Sequence, residues 1–170
     1  MSENGRKLPT IPEGYTAVTP WIISADTRKL LDFVTKTFAA TVMAVINNPD
    51  GSVGHAEAKI GDSIIMGFDA PTNTAPRPAY LRLYVEDAQA IYDKALATGA
   101  SAVTMPTLLA WGDRVARIKD PLGNIWWLQE RVEDVGQDVM ARRWMDPTWT
   151  KAMEYVQSTL AGALRGDDGT

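Results

Sequence analysis

With 170 residues, 45% hydrophobic and 22% charged, the chain has the composition of an ordinary soluble globular protein. A net charge of −4 and a pI near 5.0 give no electrostatic footprint for nucleic acid or an anionic membrane, so neither partner is expected. No apolar run approaches the roughly 20 residues that span a bilayer, the N-terminus carries no signal-peptide core, and zero cysteines exclude disulfides and thiolate ligands; a cytoplasmic location is the expectation.

Residues 1–14, with Pro9, Pro12 and Gly14, read as an extended arm. Residues 15–24 are rich in β-branched and aromatic types and read as a strand, with Pro20 favouring an edge or bulge. Asp26 is a helix N-cap, after which Leu30, Leu31, Val34 and Phe38 form one apolar stripe. Three short strands follow at 42–46, 53–60 and 63–68, separated by Asn48-Pro49-Asp50-Gly51 and Gly61-Asp62. The unit is βαβββ, spanning 15–68, and a proline-rich linker at 69–78 closes it.

The same order then begins again over 79–133. Leu81, Leu83 and Val85 alternate with Tyr80, Arg82 and Tyr84; Asp87 caps a helix carrying Ile91, Ala95 and Leu96, and Gly99 ends it. Asp26 and Asp87 set a repeat offset of 87 − 26 = 61 residues. Strands are expected at 102–109, 114–119 and 124–130, the last two joined by the tight turn Asp120-Pro121-Leu122-Gly123-Asn124. A supersecondary unit present twice predicts a duplicated α+β fold. Residues 134–165 form a C-terminal helical extension: a short helix from Gln137, then one opened by Asp146-Pro147 with a stripe of Trp149, Met153, Val156, Leu160 and Leu164. That stripe packs either on the body of the chain or on a second subunit. Residues 166–170 are a polar tail.

The two tandem βαβββ units, Trp111-Gly112-Asp113-Arg114, Asp120 to Asn124, and His55-Ala56-Glu57 before Ile60-Gly61-Asp62-Ser63 together resemble the vicinal oxygen chelate superfamily, the group of glyoxalase I, bleomycin-resistance proteins and extradiol dioxygenases, and its PhnB-like branch in particular. The resemblance implies curved mixed sheets forming a ligand cleft, helices on the outside, and a homodimer. It also implies metal-binding positions on the first and last strand of each module, which fall here on Thr19, Met66 or Gly67, Tyr80 and Trp127. None is an imidazole or carboxylate, so no metal and no cofactor is expected.

Several side chains are candidates for chemistry. His55, the single imidazole, shares a strand face with Glu57, a pairing suited to acid–base catalysis if the two touch and otherwise a hydrogen-bonded sheet histidine. Tyr80, Arg82 and Tyr84 share the polar face of their strand, where arginine suits a ligand carboxylate or phosphate and the tyrosines a ring. Trp126 and Trp127 must point to opposite faces, Trp127 toward the cleft with Gln129 in phase and Trp126 toward the core. Trp21 is placed in the cleft by the same period, and Trp111 is placed at its mouth. Asp113 and Arg114 are expected to pair with each other or to brace the hairpin, and Glu130, Glu133 and Asp134 are read as solvated. The function expected is small-molecule binding of the bleomycin-resistance type, with an enzyme of lyase, isomerase or dioxygenase type as the alternative.

Overall fold

The computed structural model describes residues 8–166; the start of the expected arm and the last four residues of the tail lie outside them. Twelve elements run in the order β1 (Trp21–Ser24), α1 (Thr27–Phe38), β2 (Thr41–Asn47), β3 (Val53–Ile60), β4 (Ser63–Asp69), β5 (Tyr80–Tyr84), α2 (Ala88–Ala97), β6 (Ser101–Leu108), β7 (Asp113–Lys119), β8 (Ile125–Arg131), α3 (Gln137–Trp144) and α4 (Pro147–Arg165). They fall into two compact units that divide between Arg77 and Pro78. Each unit carries an open four-stranded mixed sheet, in the orders β1-β4-β3-β2 and β5-β8-β7-β6. In both, the first strand pairs parallel with the last, and the remaining pairs are antiparallel.

In the first unit Asp26 caps α1 by accepting the Lys29 N–H at 3.0 Å. The predicted stripe of Leu30, Leu31, Val34 and Phe38 is buried. It lies on the sheet face of Ile22, Ala56, Ala58 and Ile65, and its approach is close at Gly67, where a Cβ would touch Thr27 and Leu30. Period-two alternation sends Trp21, His55, Glu57, Met66 and Phe68 to the opposite face. The expected strand over 15–24 is shorter than its propensities suggest. Residues 15–20 run as irregular chain with a bend at 17–18, and only at Trp21 does the ladder with Met66 begin. Pro20, which has no N–H to give, contributes its carbonyl to the Met66 N–H at 2.9 Å and closes that ladder.

In the second unit α2 buries Ala88, Tyr92 and Ala95. Leu96, expected on the buried stripe, is 37% exposed, because Tyr92 presents the larger ring to the sheet one turn earlier. The duplication reaches individual hydrogen bonds. Asp69, ending β4, accepts the Thr27 N–H at 2.7 Å, and Glu130, 61 residues later, accepts the Ala88 N–H at 2.9 Å. Glu130 is therefore not a solvated carboxylate: it holds the first turn of α2 and takes both 2.8 Å contacts from Arg114 Nη1. Asp113 and Arg114 do not pair with each other, since adjacent strand residues point to opposite faces. Asp113 accepts from Trp111 Nε1 at 3.1 Å and from Gln129 Nε2.

The C-terminal extension packs in cis. Asp146 caps α4 through the Thr148 N–H at 2.8 Å, with Pro147 in the first turn. Val156 joins Leu109 and Val115 in one buried cluster, flanked by Ala152 and Tyr155 of α4. Val115 and Glu130 belong to opposite faces of this sheet, so α4 covers the face that α2 leaves open. Its stripe is only partly used: Val156 is 2% exposed, whereas Leu164 is 54% exposed.

Candidate functional site

On the face covered by α4, the centre of the second sheet is Trp127. Its register partners are Arg82 on β5 and Arg117 on β7, so the indole is flanked by a guanidinium from each neighbouring strand. The Arg117 Cζ lies 3.8 Å from the ring centroid and that of Arg82 lies 4.3 Å away, both within cation–π range. Beside this group opens a pocket of about 520 Å³. Trp127 and Ile125 form its sheet side, Tyr80 and Arg82 belong to its edge strand, and Leu160 and Leu164 of α4 close it from above.

Arg117 is the unusual member. It is 2% exposed, in the middle of an interior strand. Nη1 donates to Thr104 Oγ1 at 3.1 Å and to the Val156 carbonyl at 2.8 Å, while Nε has no partner. Among the described residues no carboxylate forms an ion pair with it. Burial first, and the nearby Arg82 charge second, push its pKa down to about 10, which still leaves it charged at neutral pH. Withdrawing such an ion from water costs several kcal/mol. A cation–π contact returns about 1–2 kcal/mol and hydrogen bonds to a charged group about 1.5–3 kcal/mol each, comparable to that cost, although Nε is left without a partner and no anion neutralises the charge. Trp127 Nε1 is a second buried donor without a partner, in a residue that lines the pocket.

A second cluster occupies the open face of the first sheet. Tyr15 donates to Glu57 Oε2 at 2.5 Å, and His55 Nε2 pairs with Glu57 Oε1 at 2.9 Å. A carboxylate only accepts, so Nε2 carries the proton and a neutral ring keeps its basic lone pair on Nδ1. The hydrogen bond from Tyr15, then that from His55, hold the Glu57 carboxyl below its usual value; the same bond to Glu57 raises the Tyr15 phenol. A hollow between residues 10–19 and Met66 lies beside Tyr15.

The remaining candidates fall as follows. Tyr80 and Arg82 line the pocket with Trp127. Tyr84 and Gln129 are register partners one step further along; Tyr84 is 62% exposed, and Gln129 is buried against Asp113. Trp111 packs on the Leu109–Val115–Val156 cluster rather than on the pocket, with Trp144 6.5 Å from its ring. Trp126 is buried on the α2 face, its Nε1 2.9 Å from Asp120. Trp21 belongs to the first unit and stacks on Phe68 at 5.2 Å. Thr19 and Met66 line the hollow beside Tyr15. Neither they nor Tyr80 and Trp127 fit a divalent metal, which takes imidazole, carboxylate or thiolate donors. Among the described residues no three of His, Cys, Asp and Glu gather at one point, and no helix is long and apolar enough to cross a membrane.

Sequence reading alone misses Arg117 and Tyr15. A signal for Arg117 exists: it alternates with Ala116 and Ile118 in the middle of a strand that must be interior if the first strand of the module pairs with the last. Tyr15 is hidden by the strand propensity of its neighbours.

Comparison with known proteins agrees with this architecture. The family model described as the Glyoxalase/Bleomycin resistance protein/Dioxygenase superfamily matches residues 15–128. An uncharacterized protein of Mycobacterium bovis is 31% identical over 133 residues, covering 72% of this chain and 88% of the relative. Two solved structures share the fold: protein PA1353 of Pseudomonas aeruginosa (TM-score 0.60, 18% identity, 68% of this chain and 98% of that one) and the PhnB protein of Bacillus cereus (TM-score 0.55, 16% identity, 68% and 99%).

Proposed function

From the premise that the chain belongs to the glyoxalase/bleomycin resistance protein/dioxygenase superfamily, we propose that it binds a small organic molecule, without a metal, in the pocket beside Trp127. The observation that carries this reading is an apolar pocket of about 520 Å³ containing a tryptophan and two guanidiniums. A pocket of that size and mixed lining is typical of small-molecule sites. Residue chemistry supports the metal-free part, because the four ligand positions implied by the family resemblance carry Thr19, Met66 or Gly67, Tyr80 and Trp127. A bicyclic aromatic probe, 2-naphthoate, should bind and raise the melting temperature, since a ligand of the native state alone must do so; zinc, nickel, iron and manganese should leave it unchanged. Trp127→Ala should weaken the probe at least about tenfold, roughly 1.4 kcal/mol, for the lost stacking and contact area. Absence of probe binding, or a metal-induced rise in melting temperature, sinks the reading.

A second reading has its own observation, the Tyr15–Glu57–His55 chain of hydrogen bonds. Here the first unit supplies acid–base chemistry, with His55 Nδ1 as base and Glu57 orienting the ring. Any turnover should vanish in His55→Ala with ligand affinity kept. The linkage signs are opposite for the two neighbours. The depressed Glu57 contributes stability above the ordinary carboxylate value, lost as pH falls through its lowered value; the raised Tyr15 contributes below about pH 10, lost as pH rises through its elevated value. Phenolate absorbance should show two late-titrating tyrosines, Tyr15 and the buried Tyr92, and Glu57→Gln should return only the first toward the normal range. An unchanged titration breaks the coupling on which the reading depends.

Homodimerisation belongs to the same proposal. It is supported by the edge strand β2, which leaves Val42, Met43, Val45 and Ile46 at least 38% exposed. Light scattering at low micromolar concentration should give twice the chain mass of 18.6 kDa, and a mass near 18.6 kDa overturns it.

A further inference from the structure

Resting on the reading that the Trp127 pocket holds a small organic molecule, we infer that its ligand is an organic monoanion: an apolar, ring-bearing body with one carboxylate held by the positive charge of the Arg82 and Arg117 guanidiniums. Three observations converge on this class. Arg117 and Arg82 bring two positive charges to one indole, in a protein whose net charge is −4, and no described carboxylate pairs with either. Arg117 Nε and Trp127 Nε1, buried within two of the residues that line the pocket, have no acceptor in the protein, so the positive charge there is not answered from within the fold. The rest of the wall is Tyr80, Leu81, Ile125, Leu160 and Leu164, mostly apolar, which suits an uncharged body and leaves few partners for the further oxygens of a polyanion.

A purely structural role for Arg117, as a strut between β7 and α4, explains only part of its geometry. That role uses Nη1, through Thr104 and the Val156 carbonyl, and leaves Nε idle. An apolar side chain would support α4 without the cost of a buried charge. Thr104 also bonds Thr159 directly at 2.8 Å, so the strut is not the sole link between sheet and helix.

The test compares 2-naphthoate with its neutral isostere 2-naphthamide by titration calorimetry on the full chain. The wild-type protein should bind the acid at least about tenfold more tightly than the amide, as expected for a charge-assisted pair in a desolvated site. In Arg117→Met the two affinities should converge to within about twofold, with the melting temperature of the unliganded protein unchanged or raised. Arg82→Met, which removes the second guanidinium beside the Trp127 ring, should lower the preference for the acid several-fold. Equal binding of acid and amide by the wild-type chain overturns the inference and leaves small-molecule binding intact. Binding of neither overturns both. A preference for the acid that survives Arg117→Met places the anion elsewhere and overturns the assignment. If that variant fails to fold, the wild-type ratio and Arg82→Met decide.

Discussion

Asp120→Ala is expected to destabilise the protein by about 3–5 kcal/mol and to lower its melting temperature by on the order of 10 °C. Asp120 is 3% exposed, and its carboxylate is the hub of the β7–β8 turn. Oδ1 accepts the Leu122 and Asn124 N–H groups, both at 2.9 Å; Oδ2 accepts Asn124 Nδ2 at 2.8 Å and Trp126 Nε1 at 2.9 Å. Asn124 is itself 1% exposed, so alanine at 120 strands donors that water cannot reach, at about 1–3 kcal/mol each. The damage travels toward the pocket. Asn124 Oδ1 accepts the Ala79 N–H at 2.8 Å and so ties the start of β8 to the chain entering β5, where Tyr80 and Arg82 begin the pocket wall. Asp120→Asn keeps Oδ1 as an acceptor but turns an N–H₂ toward other donors, and should cost roughly half as much. Urea unfolding followed by circular dichroism measures both; a loss below about 1 kcal/mol for the alanine variant refutes the hub.

The same turn shows what sequence can and cannot carry. Asp120-Pro121-Leu122-Gly123-Asn124 reads as a turn because proline and glycine are local constraints, and the caps at Asp26 and Asp87 are legible for the same reason: each acts within three residues. The 61-residue repeat follows from those caps. Burial of charge is not local. Arg117 looks like any polar strand residue until β7 is known to be interior and α4 to lie above it. Glu130 looks solvated until the first turn of α2 is brought beside it. The strand propensities of residues 15–20 yield to the needs of the sheet, which begins pairing only after Pro20, freeing Tyr15 to reach Glu57. For His55 and Glu57, spacing places both on one face, and only the folded chain supplies the 2.9 Å contact. The stripe on α4 is visible, but its choice between a second subunit and its own sheet depends on Leu109 and Val115, about 40 residues earlier.

Gly112→Ala should be the most damaging small substitution outside the core, costing about 2–4 kcal/mol and loosening the roof of the pocket. Gly112 has φ +92°, a conformation that costs an L side chain about 1–3 kcal/mol on its own. Its carbonyl accepts the Val132 and Glu133 N–H groups, both at 3.0 Å, which folds the chain leaving β8 back onto the loop. A Cβ here would press on the Glu133 carbonyl oxygen and come within 2.7 Å of Glu133 Cγ and 2.8 Å of Val135 Cγ2. A main-chain atom cannot move aside as a side-chain tip can, so residues 133–135 must shift. They lead directly into α3, which Arg143 anchors to the Ala110 carbonyl at 3.0 Å and to Glu133 at 2.6 Å, and from α3 the chain enters α4. Gly51→Ala separates strain from collision, because Gly51 has φ +87° and a Cβ added there would meet nothing within 4 Å. Thermal unfolding should show Gly112→Ala losing about twice as much stability as Gly51→Ala, and limited proteolysis should cut between 133 and 165 faster in the first variant alone. Equal losses with unchanged proteolysis would mean that the loop absorbs the methyl group, and that α4 is held over Trp127 by its own contacts rather than by the path of the chain through Gly112.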